Sequence, residues 1–520
     1  MNRNSAIQCL TDGAEIFDLV VIGGGATGLG VAVDAASRGH RVALIEQLDF
    51  AKGTSSRSTK LVHGGVRYLR QGNIPLVREA LHERGLLYAN APHLVRDMRF
   101  VIPAYAFWET PFYGIGMKAY DLLAGKLNLA PSRMLGRRET IERLPTIETR
   151  GLRGGVLYHD GQFDDSRLAI NLAQTAVEQG AVVANYVRAV GLIKEGGKLA
   201  GVEAEDAETG KQFLIRARTV VNATGVFVDQ IRKRDEPSTK PVVTVSQGIH
   251  LVLPREFLPG DNALMIPKTA DGRVLFIVPW HGELIAGTTD TPVPDVSLEP
   301  RALDEEKEFV LGHVAKYLAR DPGPSDVRSI YAGLRPLVKR GNSGNTAVLS
   351  REHTILISAS GLITVTGGKW TTYRKMAEDV VDRAESSGNL AKRPCRTPDL
   401  RIHGWTRNPD AEIAFQEYGA DAAGIHSLIA GDASLGALLH PSLPHRRAEV
   451  VWHARNEMAR TVEDVLARRT RALLLDSKAS IQSAAEVASL LAGELGRPPQ
   501  WEAEQVAFYR QLAAGYVFTP

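Results

Sequence analysis

FDLVVIGGGATGLGVAVDAASRGHRVALIE, residues 17–46, decides the fold of this chain. An apolar strand, Asp18–Ile22, leads into a glycine-rich turn, a helix of small residues follows, and a second strand, Val42–Ile45, ends at an acid. The turn has its glycines at a fixed spacing: Gly23, Gly25 and Gly28. A strand, a G-x-G-x-x-G turn, a helix and a second strand in this order are typical of a βαβ unit that binds a dinucleotide.

Each part of this unit has a physical role toward a dinucleotide. Gly23 permits the tight turn, Gly25 lets the backbone approach the pyrophosphate, and Gly28 lets the helix pack closely on the strand. The N-terminus of the helix offers unpaired N–H groups and the positive end of its dipole to the phosphates. Glu46, 21 residues after Gly25, can accept hydrogen bonds from the ribose hydroxyls and would repel a 2′-phosphate.

Composition narrows the class of protein. A chain of 520 residues is too long for one ordinary core, so two or three domains are expected. The net charge of +3 gives no general case for nucleic-acid binding, and no nucleic-acid partner is expected. Cys9 and Cys395 are the two cysteines, which excludes a disulfide framework and is typical of a reducing cytosol. No HExxH, CxxC or calcium-loop spacing occurs and no apolar run approaches roughly 18 residues, so neither a metal site nor a membrane span is predicted.

The order of predicted elements divides the chain into three parts. These are an N-terminal extension (residues 1–16), an α/β domain (17–390), and a helical C-terminal domain (391–520) that begins with a Pro- and Arg-rich linker. Within the α/β domain, the nucleotide-binding parts are expected at about 17–100, 150–240 and 345–390, and an antiparallel substrate or cap subdomain at about 101–149 and 241–344.

The C-terminal domain contains an arginine-rich run at residues 446–471. Apolar residues at helical spacing predict that one face of a helix is buried here: Val451, Ala454, Met458, Val462 and Val465. Because acids interleave with the arginines, we interpret the run as a solvated helix face with i,i+4 ion pairs, not as a nucleic-acid site.

A second motif, SSRSTKLVHGGVRYL at Ser55–Leu69, contains residues suited to an anionic ligand. His63 precedes two glycines, whose lack of side chains lets a flat ligand approach. Arg67 and Tyr68 follow, a forked cation and a phenol that suit an anionic oxygen group. The alternative for His63 is a loop histidine whose hydrogen bonds are satisfied locally.

Two later turns add cations. The sequence YAGLRPL at residues 331–337 places Arg335 in a rigid, apolar turn, which indicates a site; a structural ion pair is the alternative. Gly367-Gly368-Lys369 lies at a predicted strand-to-helix turn and combines backbone N–H groups with a cation, which predicts an anion site.

Two further candidates have weaker signals. Arg351 follows a loop, where an arginine is equally often solvated. His250 lies in an alternating strand, where a histidine is more often structural, but Gly248 before it indicates close approach of a ligand. The cations assigned to one cleft predict a substrate with a dianionic group such as phosphate: Arg67, Arg335, Arg351 and Lys369.

These motifs together point to a family. From about Phe17 to about Asp476 the chain closely resembles the flavin-dependent respiratory (aerobic) glycerol-3-phosphate dehydrogenases. The motifs of the resemblance are GGGATGLGVAVDAASRG, TSSRSTKLVHGGVRYL, VNATG, GTTD (residues 287–290), GLRPL, TGGKWTTYRKMAE and EMARTVEDVLARRTRALLLD. KLVHGGVRYL together with VEDVLARRTR is the most specific part.

The resemblance implies a fold and a cofactor. The fold is α/β, with a Rossmann-type FAD-binding domain of the amino-acid-oxidase and glutathione-reductase kind, an antiparallel substrate subdomain and an all-helical C-terminal domain. The implied FAD-binding residues are Gly23, Gly25, Gly28, Glu46, Thr54, Ser55, Thr59, Lys60, Leu61, His63, Thr224, Gly225, Gly368, Lys369 and Thr371. The family commonly has an aliphatic residue where this chain has Trp370, a departure at the edge of the flavin.

The implied reaction is oxidation of sn-glycerol 3-phosphate to dihydroxyacetone phosphate by hydride transfer to FAD. The implied substrate-binding residues are Arg67, Tyr68, Thr288, Arg351 and Lys369. His63, His250 and Arg335 would surround the reacting carbon. A base is needed because the alcohol does not ionise unaided; His63 is the first candidate and His250 the second. Arg335 would stabilise the developing alkoxide.

The resemblance also implies partners. The family passes electrons to a respiratory quinone, which needs contact with a bilayer surface. The aromatic and basic segment Phe107–Arg138 is the candidate anchor, with an ordinary cap subdomain as the alternative. We expect a cytoplasmic protein, peripheral on the cytoplasmic face of the inner membrane, with a homodimer as a candidate assembly. The alternative functions are a soluble glycerol-3-phosphate oxidase that uses oxygen and another FAD-dependent amino- or hydroxy-acid oxidase.

Overall fold

Two β-sheets organise the chain up to about residue 366, and helices dominate the remainder. The computed structural model describes residues 1–13, 16–70, 72–338 and 353–519. In chain order the strands are β1 (Phe17–Ile22), β2 (Val42–Ile45), β3 (Leu61–Val62), β4 (Arg96–Ala104), β5 (Arg133–Gly136), β6 (Gly154–Gln162), β7 (Val182–Ala184), β8 (Val187–Glu195), β9 (Lys198–Asp206), β10 (Gln212–Asn222), β11 (Val243–Pro254), β12 (Asn262–Ile266), β13 (Leu275–Trp280), β14 (Glu283–Gly287), β15 (Thr291–Val293), β16 (Ser329–Val338), β17 (Thr354–Ile357) and β18 (Ile363–Thr366).

The helices are α1 (Arg3–Thr11), α2 (Ala26–Ser37), α3 (Val66–Arg70), α4 (Ile74–Asn90), α5 (Glu109–Ala124), α6 (Arg137–Arg143), α7 (Asp165–Glu178), α8 (Val228–Asp235), α9 (Asp304–Ala315), α10 (Tyr373–Ser387), α11 (Ala422–Gly431), α12 (Arg447–Asn456), α13 (Ala472–Leu475), α14 (Ser477–Leu495) and α15 (Pro499–Ala513). A π-helix occupies Asp464–Arg469. Within the described ranges, no helix combines the length and the apolar composition needed to cross a membrane.

The first sheet is doubly wound, with the strand order β17-β18-β10-β1-β2-β7. β1 lies in its centre, parallel to both β10 and β2, and β18 is parallel to β10. Because β1 is fully covered on both sides, it is almost continuously apolar, as buried parallel strands are. Helices α2, α7 and α10 pack on one face, and strands β8 and β9 together with helices α1 and α8 cover the other.

The second sheet is mostly antiparallel, with the order β15-β11-β14-β13-β12-β4-β6-β3, and β16 pairs with β11. One pair, β12 with β4, is parallel. Alternate residues of β11, including Ile249 and Leu251, pack with Val310 and Val314 of α9 on one face. The alternation leaves the intervening residues of β11 on the opposite face, where the candidate site lies.

The C-terminal helices pack on this second sheet. Their apolar cluster, which includes Val465 and Leu473, contains Trp280 and Tyr331 of the sheet. The α/β class with a helical C-terminal part is therefore confirmed. The division at residue 390 stays a prediction; Ile402, beyond it, is buried in the core beside the first sheet.

One C-terminal prediction is wrong. The residues from Val451 to Val465 do not form one helix, because α12 ends at Asn456 and Met458 has a positive φ of 55°. The chain turns there and resumes as the π-helix. Periodicity did not reveal the break, since Met458 and Val465 are still buried.

Candidate active site

A cleft opens at the carboxyl ends of β18, β10, β1 and β2. Its empty volume is about 1400 Å³, including the part open to solvent. Three segments far apart in sequence line it, within residues 22–55, 187–234 and 365–376, together with Leu298 and Pro336. This edge of an open α/β sheet is where such folds bind their ligands.

The glycines of the βαβ unit make room that no other residue would leave. Gly23 has a φ of 112°, and a Cβ there would lie 2.7 Å from the carbonyl oxygen of Ala223. A Cβ at Gly28 would lie 1.9 Å from the carbonyl oxygen of Gly23. Gly25 precedes α2, and its Cβ would lie 3.0 Å from Ser55 Oγ. The turn and the N-terminus of α2 are thus held close enough to contact a pyrophosphate.

Glu46 lies in the wall of the cleft at the end of β2. Its Oε2 accepts from the Gly24 N–H at 2.6 Å, and its Oε1 accepts from the Leu48 N–H at 3.0 Å. Burial raises the pKa of Glu46, and the two backbone donors act in the opposite direction. A carboxylate held at this position can accept from ribose hydroxyls, so the dinucleotide cradle fits the adenosine half of FAD.

The Thr54–Ser55 turn joins several elements that border the cleft. Thr54 Oγ1 donates to the Leu334 carbonyl at 2.7 Å, and Ser55 Oγ accepts from the Ala26 N–H at 2.9 Å. The Trp370 indole N–H donates to the Ser55 carbonyl at 2.8 Å. Trp370, the departure from the family pattern, therefore fastens this turn by a bond that an aliphatic residue cannot make.

The later strand ends complete the lining of the cleft. Thr224 donates to Asn222 Oδ1 at 2.7 Å, and Gly225 follows with a φ of 60°. Gly368 has a φ of 77°, and the Lys369 Nζ lies 4.0 Å from the centre of the Tyr68 ring. All these residues except Asn222 and Tyr68 border the cleft.

Several predicted cofactor residues lie behind the cleft. Lys60 is fully buried, and its ammonium donates to the Ser56 carbonyl at 2.8 Å and to Asp165 at 2.7 Å. Burial lowers the pKa of Lys60 to about 8 although Asp165 opposes the shift. Leu61 is packed in an apolar cluster, and Thr59 and Thr371 contact the two histidines. The assignment of Lys60 to the cofactor stays a prediction; its ammonium is buried and paired with Asp165.

A row of residues crosses four strands of the second sheet on the face away from α9. Phe276 of β13 lies opposite Gly287 of β14, Gly287 opposite His250 of β11, and His250 opposite Tyr331 of β16. Neighbouring strands are about 4.8 Å apart, so Phe276 and His250 flank a gap about 10 Å wide at the strand level. Gly287, between them, has no side chain, and the His250 ring leans over it, since a Cβ there would lie 2.5 Å from His250 Cδ2.

His250 is buried at one side of this gap. Its ring stacks on Tyr331 at 4.8 Å, and its Nε2 shares a 2.9 Å hydrogen bond with Thr59 Oγ1. Burial lowers the pKa of His250 well below its ordinary value, and the positive charges of Lys60 and Arg335 act in the same direction. His250 is therefore neutral at pH 7.

His63 lies at the other side of the gap. Its ring meets Phe276 edge-on with 6.5 Å between the ring centres, and its backbone N–H donates to Thr371 Oγ1 at 3.2 Å. The two predicted histidines thus lie on the two sides of this row, His250 over Gly287 and His63 against Phe276.

The side chain of Arg335, a residue of β16, reaches across the neighbouring strand β11. Its Nη2 donates to Thr288 Oγ1 at 2.9 Å and to the Thr289 carbonyl at 3.0 Å, and its side chain is 22% exposed. Gly248 makes this path possible, because a Cβ there would lie 2.1 Å from Arg335 Nη2. The close approach predicted at Gly248 is therefore that of a protein side chain, not that of a ligand.

Two substrate candidates fall outside the described part. Arg67 belongs to α3, but its side chain is not among those that the structure describes. Arg351 lies outside the described residues altogether. Their assignment to the substrate stays a prediction.

The sequence reasoning missed a set of buried acids around the site. Asp290 binds Ser246 and Arg273 and lies 3.5 Å from Arg335 Nη1, and its place in the GTTD motif was the available signal. Glu306 accepts from Thr289 at 2.7 Å. It lies in α9, and no sequence signal marked it.

The arginine-rich run at residues 446–471 differs from the solvated helix face that its sequence predicts. Arg468, Arg469 and Arg471 are buried, and they bind acids of the α/β domain. The prediction of a solvated face is wrong for these three, because their partners Asp49 and Asp165 are distant in sequence and invisible to local spacing.

In the described ranges, Asp164, His281 and Glu417 form a group of metal-ligand type. Arg471 lies 3.1 Å from Asp164, and the carboxylates of Glu417 and Asp164 raise the pKa of His281 to about 9 although burial opposes them. With a protonated histidine and an arginine present, the carboxylates are already neutralised, so the group acts as an ion-pair cluster.

Comparison with known proteins places this geometry in context. A family described as FAD dependent oxidoreductase matches residues 18–374, and one described as the C-terminal domain of alpha-glycerophosphate oxidase matches residues 362–506. The chain is 41% identical over 527 residues to the probable mitochondrial glycerol-3-phosphate dehydrogenase of Caenorhabditis elegans. This match covers 95% of this chain and 72% of that protein. It is 39% identical over 547 residues to the mitochondrial glycerol-3-phosphate dehydrogenase of Homo sapiens, with 98% and 75% covered.

Solved structures agree. The glycerol-3-phosphate dehydrogenase from Bacillus halodurans complexed with FAD matches with a TM-score of 0.81 and 30% identity, over 99% of this chain and 97% of that one. The L-alpha-glycerophosphate oxidase from Mycoplasma pneumoniae, with FAD bound, matches with a TM-score of 0.57 and 17% identity, and so shares the fold.

Proposed function

This chain belongs to the FAD-dependent glycerol-3-phosphate dehydrogenases, and from that premise we propose how its own residues perform the reaction. The protein oxidises sn-glycerol 3-phosphate to dihydroxyacetone phosphate with FAD as cofactor. When bound, FAD accepts the hydride that leaves the secondary carbon. The observation that supports the assignment of roles is the grouping of three side chains around Gly287: the His250 ring lies over it, His63 packs against the neighbouring Phe276, and Arg335 donates to Thr288 beside it.

Lys369, Arg335 and the predicted Arg67 and Arg351 would bind the substrate's phosphate and hydroxyl groups. Lys369 is the described cation that borders both the cleft and Tyr68. Forked and point cations together suit a dianionic group, whereas a substrate with one carboxylate would need a single clamp. This surplus of cations favours a phosphorylated alcohol over an amino or hydroxy acid.

His63 is proposed as the base that takes the hydroxyl proton. His250 is neutral and could accept a proton, but its imidazolium form would lie near Lys60 and Arg335 and away from water. Such a form is disfavoured by like charge and by desolvation. Arg335 is proposed to stabilise the developing alkoxide and then the ketone oxygen, a contact typically worth roughly 3–4 kcal/mol in the transition state.

Anaerobic mixing with sn-glycerol 3-phosphate tests the whole assignment. We expect the yellow flavin absorbance to bleach with wild-type protein and to bleach slowly with His63→Gln. Retained flavin reduction in His63→Gln with loss in His250→Gln would reverse the order of the two bases. Protein that binds no FAD, or that stays yellow with this substrate, would contradict the function itself.

We further propose that electrons pass to a respiratory quinone at a membrane surface. Helix α5 and its approach support this, since large apolar side chains there are exposed: Phe107 at 81%, Leu122 at 83%, and also Trp108, Phe112 and Ile115. An exposed apolar patch beside basic residues is typical of an interfacial anchor. The proposed location is peripheral, on the cytoplasmic face of the inner membrane.

A vesicle assay separates this proposal from the alternative. We expect co-sedimentation with anionic vesicles that is lost in Phe107→Ser/Leu122→Ser, with unchanged flavin reduction by substrate in solution. Rapid peroxide formation in an oxygen electrode, together with no transfer to a quinone analogue, would favour the soluble oxidase. A homodimer is also proposed, and light scattering of the purified protein tests it.

A further inference from the structure

We propose that the C-terminal segment Glu463–Arg471 is a working part of the cofactor site. This segment fixes the loop 46–56, which forms one wall of the FAD cleft, so that FAD binding and docking of the segment strengthen each other. The inference rests on FAD binding in the cleft and goes beyond it, because no residue of the segment lines the cleft as the structure describes it.

The first point of attachment is Asp49, three residues beyond Glu46 and fully buried. Its Oδ2 accepts from Arg468 Nε at 2.5 Å and also from Arg469 Nη1. Burial would raise the pKa of Asp49, but the two arginines lower it below its ordinary value. The carboxylate is therefore charged, and its position depends on both guanidinium groups.

Two further attachments follow along the loop. Lys52 binds Glu463 of the segment and also Glu299, the latter at 2.6 Å. The carbonyl of Ser56 accepts from Arg471 Nη2 at 2.7 Å. The segment thus contacts the loop near its beginning, at its middle and at its end.

The loop 46–56 that carries these attachments forms one wall of the cleft. Glu46, Lys52, Gly53, Thr54 and Ser55 all border the cleft. The attachments are buried and charge-assisted, which makes them shorter and stronger than neutral hydrogen bonds. A loop fixed in its bound shape pays less ordering entropy when the ligand arrives, and the coupling is reciprocal by thermodynamic necessity.

Arg469 is therefore a positioning residue, and FAD affinity is the readout that tests it. We expect Arg469→Met to raise the Kd of the full-length apoprotein for FAD about tenfold or more, measured by quenching of flavin fluorescence. The KM for sn-glycerol 3-phosphate at saturating FAD should be unchanged. Arg455→Met is the matched control: Arg455 makes a comparable two-bonded pair with Glu494, at 2.6 and 2.8 Å, on the exposed surface.

Loss of Arg469 could instead unfold the chain, since the buried Asp49 would keep only Arg468 of its two guanidinium partners. Asp49→Asn/Arg469→Met removes both charges and should restore folding while leaving the FAD Kd raised. A single or double variant that binds FAD with the wild-type Kd would overturn the proposal, even if its melting temperature fell.

Hydrogen exchange of the wild-type full-length chain gives a test that needs no variant. Adding FAD should slow amide exchange in residues 463–471 as well as in 46–56, because the two segments are coupled. Slowing confined to 46–56 would overturn the inference but leave FAD binding intact. If the wild-type chain shows no FAD binding at all, it is the proposed function that fails.

Discussion

Gly248→Ala offers a test of Arg335 that removes no polar group from the site. A Cβ at residue 248 would lie 2.1 Å from Arg335 Nη2 and 2.5 Å from Thr288 Oγ1. Ordinary contacts begin at 3.4 Å, so Nη2 must retreat by about 1.3 Å. Its bonds to Thr288 at 2.9 Å and to Thr289 at 3.0 Å then exceed hydrogen-bond length.

The expected loss is mainly catalytic. Because the clash is with the end of a flexible side chain, the strand itself can keep its conformation. The displaced guanidinium, already 22% exposed, can hydrate, so the free energy of unfolding should fall by less than about 2 kcal/mol. Misplacing a charge donor by this distance should cost roughly 3–4 kcal/mol in the transition state, or about 10²–10³ in the rate of flavin reduction.

Stopped-flow flavin reduction under anaerobic conditions, at saturating substrate, measures this loss. FAD content, read from the absorbance of the purified protein, should equal that of wild type. Gly312→Ala on α9 is the control, since a Cβ there has nothing within 4 Å. Arg335→Met should give a similar loss, and the double variant should add little to it. Wild-type reduction rates in Gly248→Ala, or losses that add fully in the double variant, would refute the role of Arg335.

Three further predictions concern the cofactor, pH and the C-terminal domain. Gly28→Ala puts a Cβ 1.9 Å from the Gly23 carbonyl oxygen, so the protein should purify without yellow colour; retained FAD at wild-type content would contradict the cradle. His281, with its folded pKa raised from 6.5 to about 9, stabilises the fold fully below pH 6.5 and loses this contribution as the pH rises to 9. The free energy of unfolding should fall by up to about 3 kcal/mol over that range, and in His281→Gln this pH dependence, measured by denaturant unfolding, should be smaller. A pH dependence equal to that of wild type would contradict the role of His281. Deleting residues 396–520 leaves buried acids such as Asp165 without arginine partners, so no soluble protein is expected; a folded, FAD-binding fragment would show otherwise.

The cofactor cradle was predictable because its constraints are local. Gly28 is required by the carbonyl of Gly23, five residues earlier, and Gly23 by the positive φ of the turn, so their spacing records both; that Gly23 also packs against Ala223 was not visible in the motif. Tyr331 and Arg335 share one face of β16, as their even separation in sequence indicates. That Gly287 lies between His250 and Phe276 depends on strand register, which the sequence did not reveal.

Long-range burial was not predictable in the same way. Arg468 has Asp464 four residues before it, which is the pattern of a solvated helix, yet Arg468 and the adjacent Arg469 are both buried against Asp49. The pairing of Lys60 with Asp165 in α7 was likewise not indicated by the sequence around Lys60. In each case the deciding partner lies more than a hundred residues away, so spacing alone was misleading.

The composition of the cleft has a consequence for how the protein is made. Its lining is complete only when residues 365–376, at about 70% of the chain, are present. The loop 46–56, which also lines the cleft, is held through Asp49 by arginines still later in the chain. A nascent chain emerging from the ribosome thus displays its glycine turn long before it can retain a flavin. Holoenzyme formation is therefore a late event of biosynthesis, and truncated translation products should be colourless.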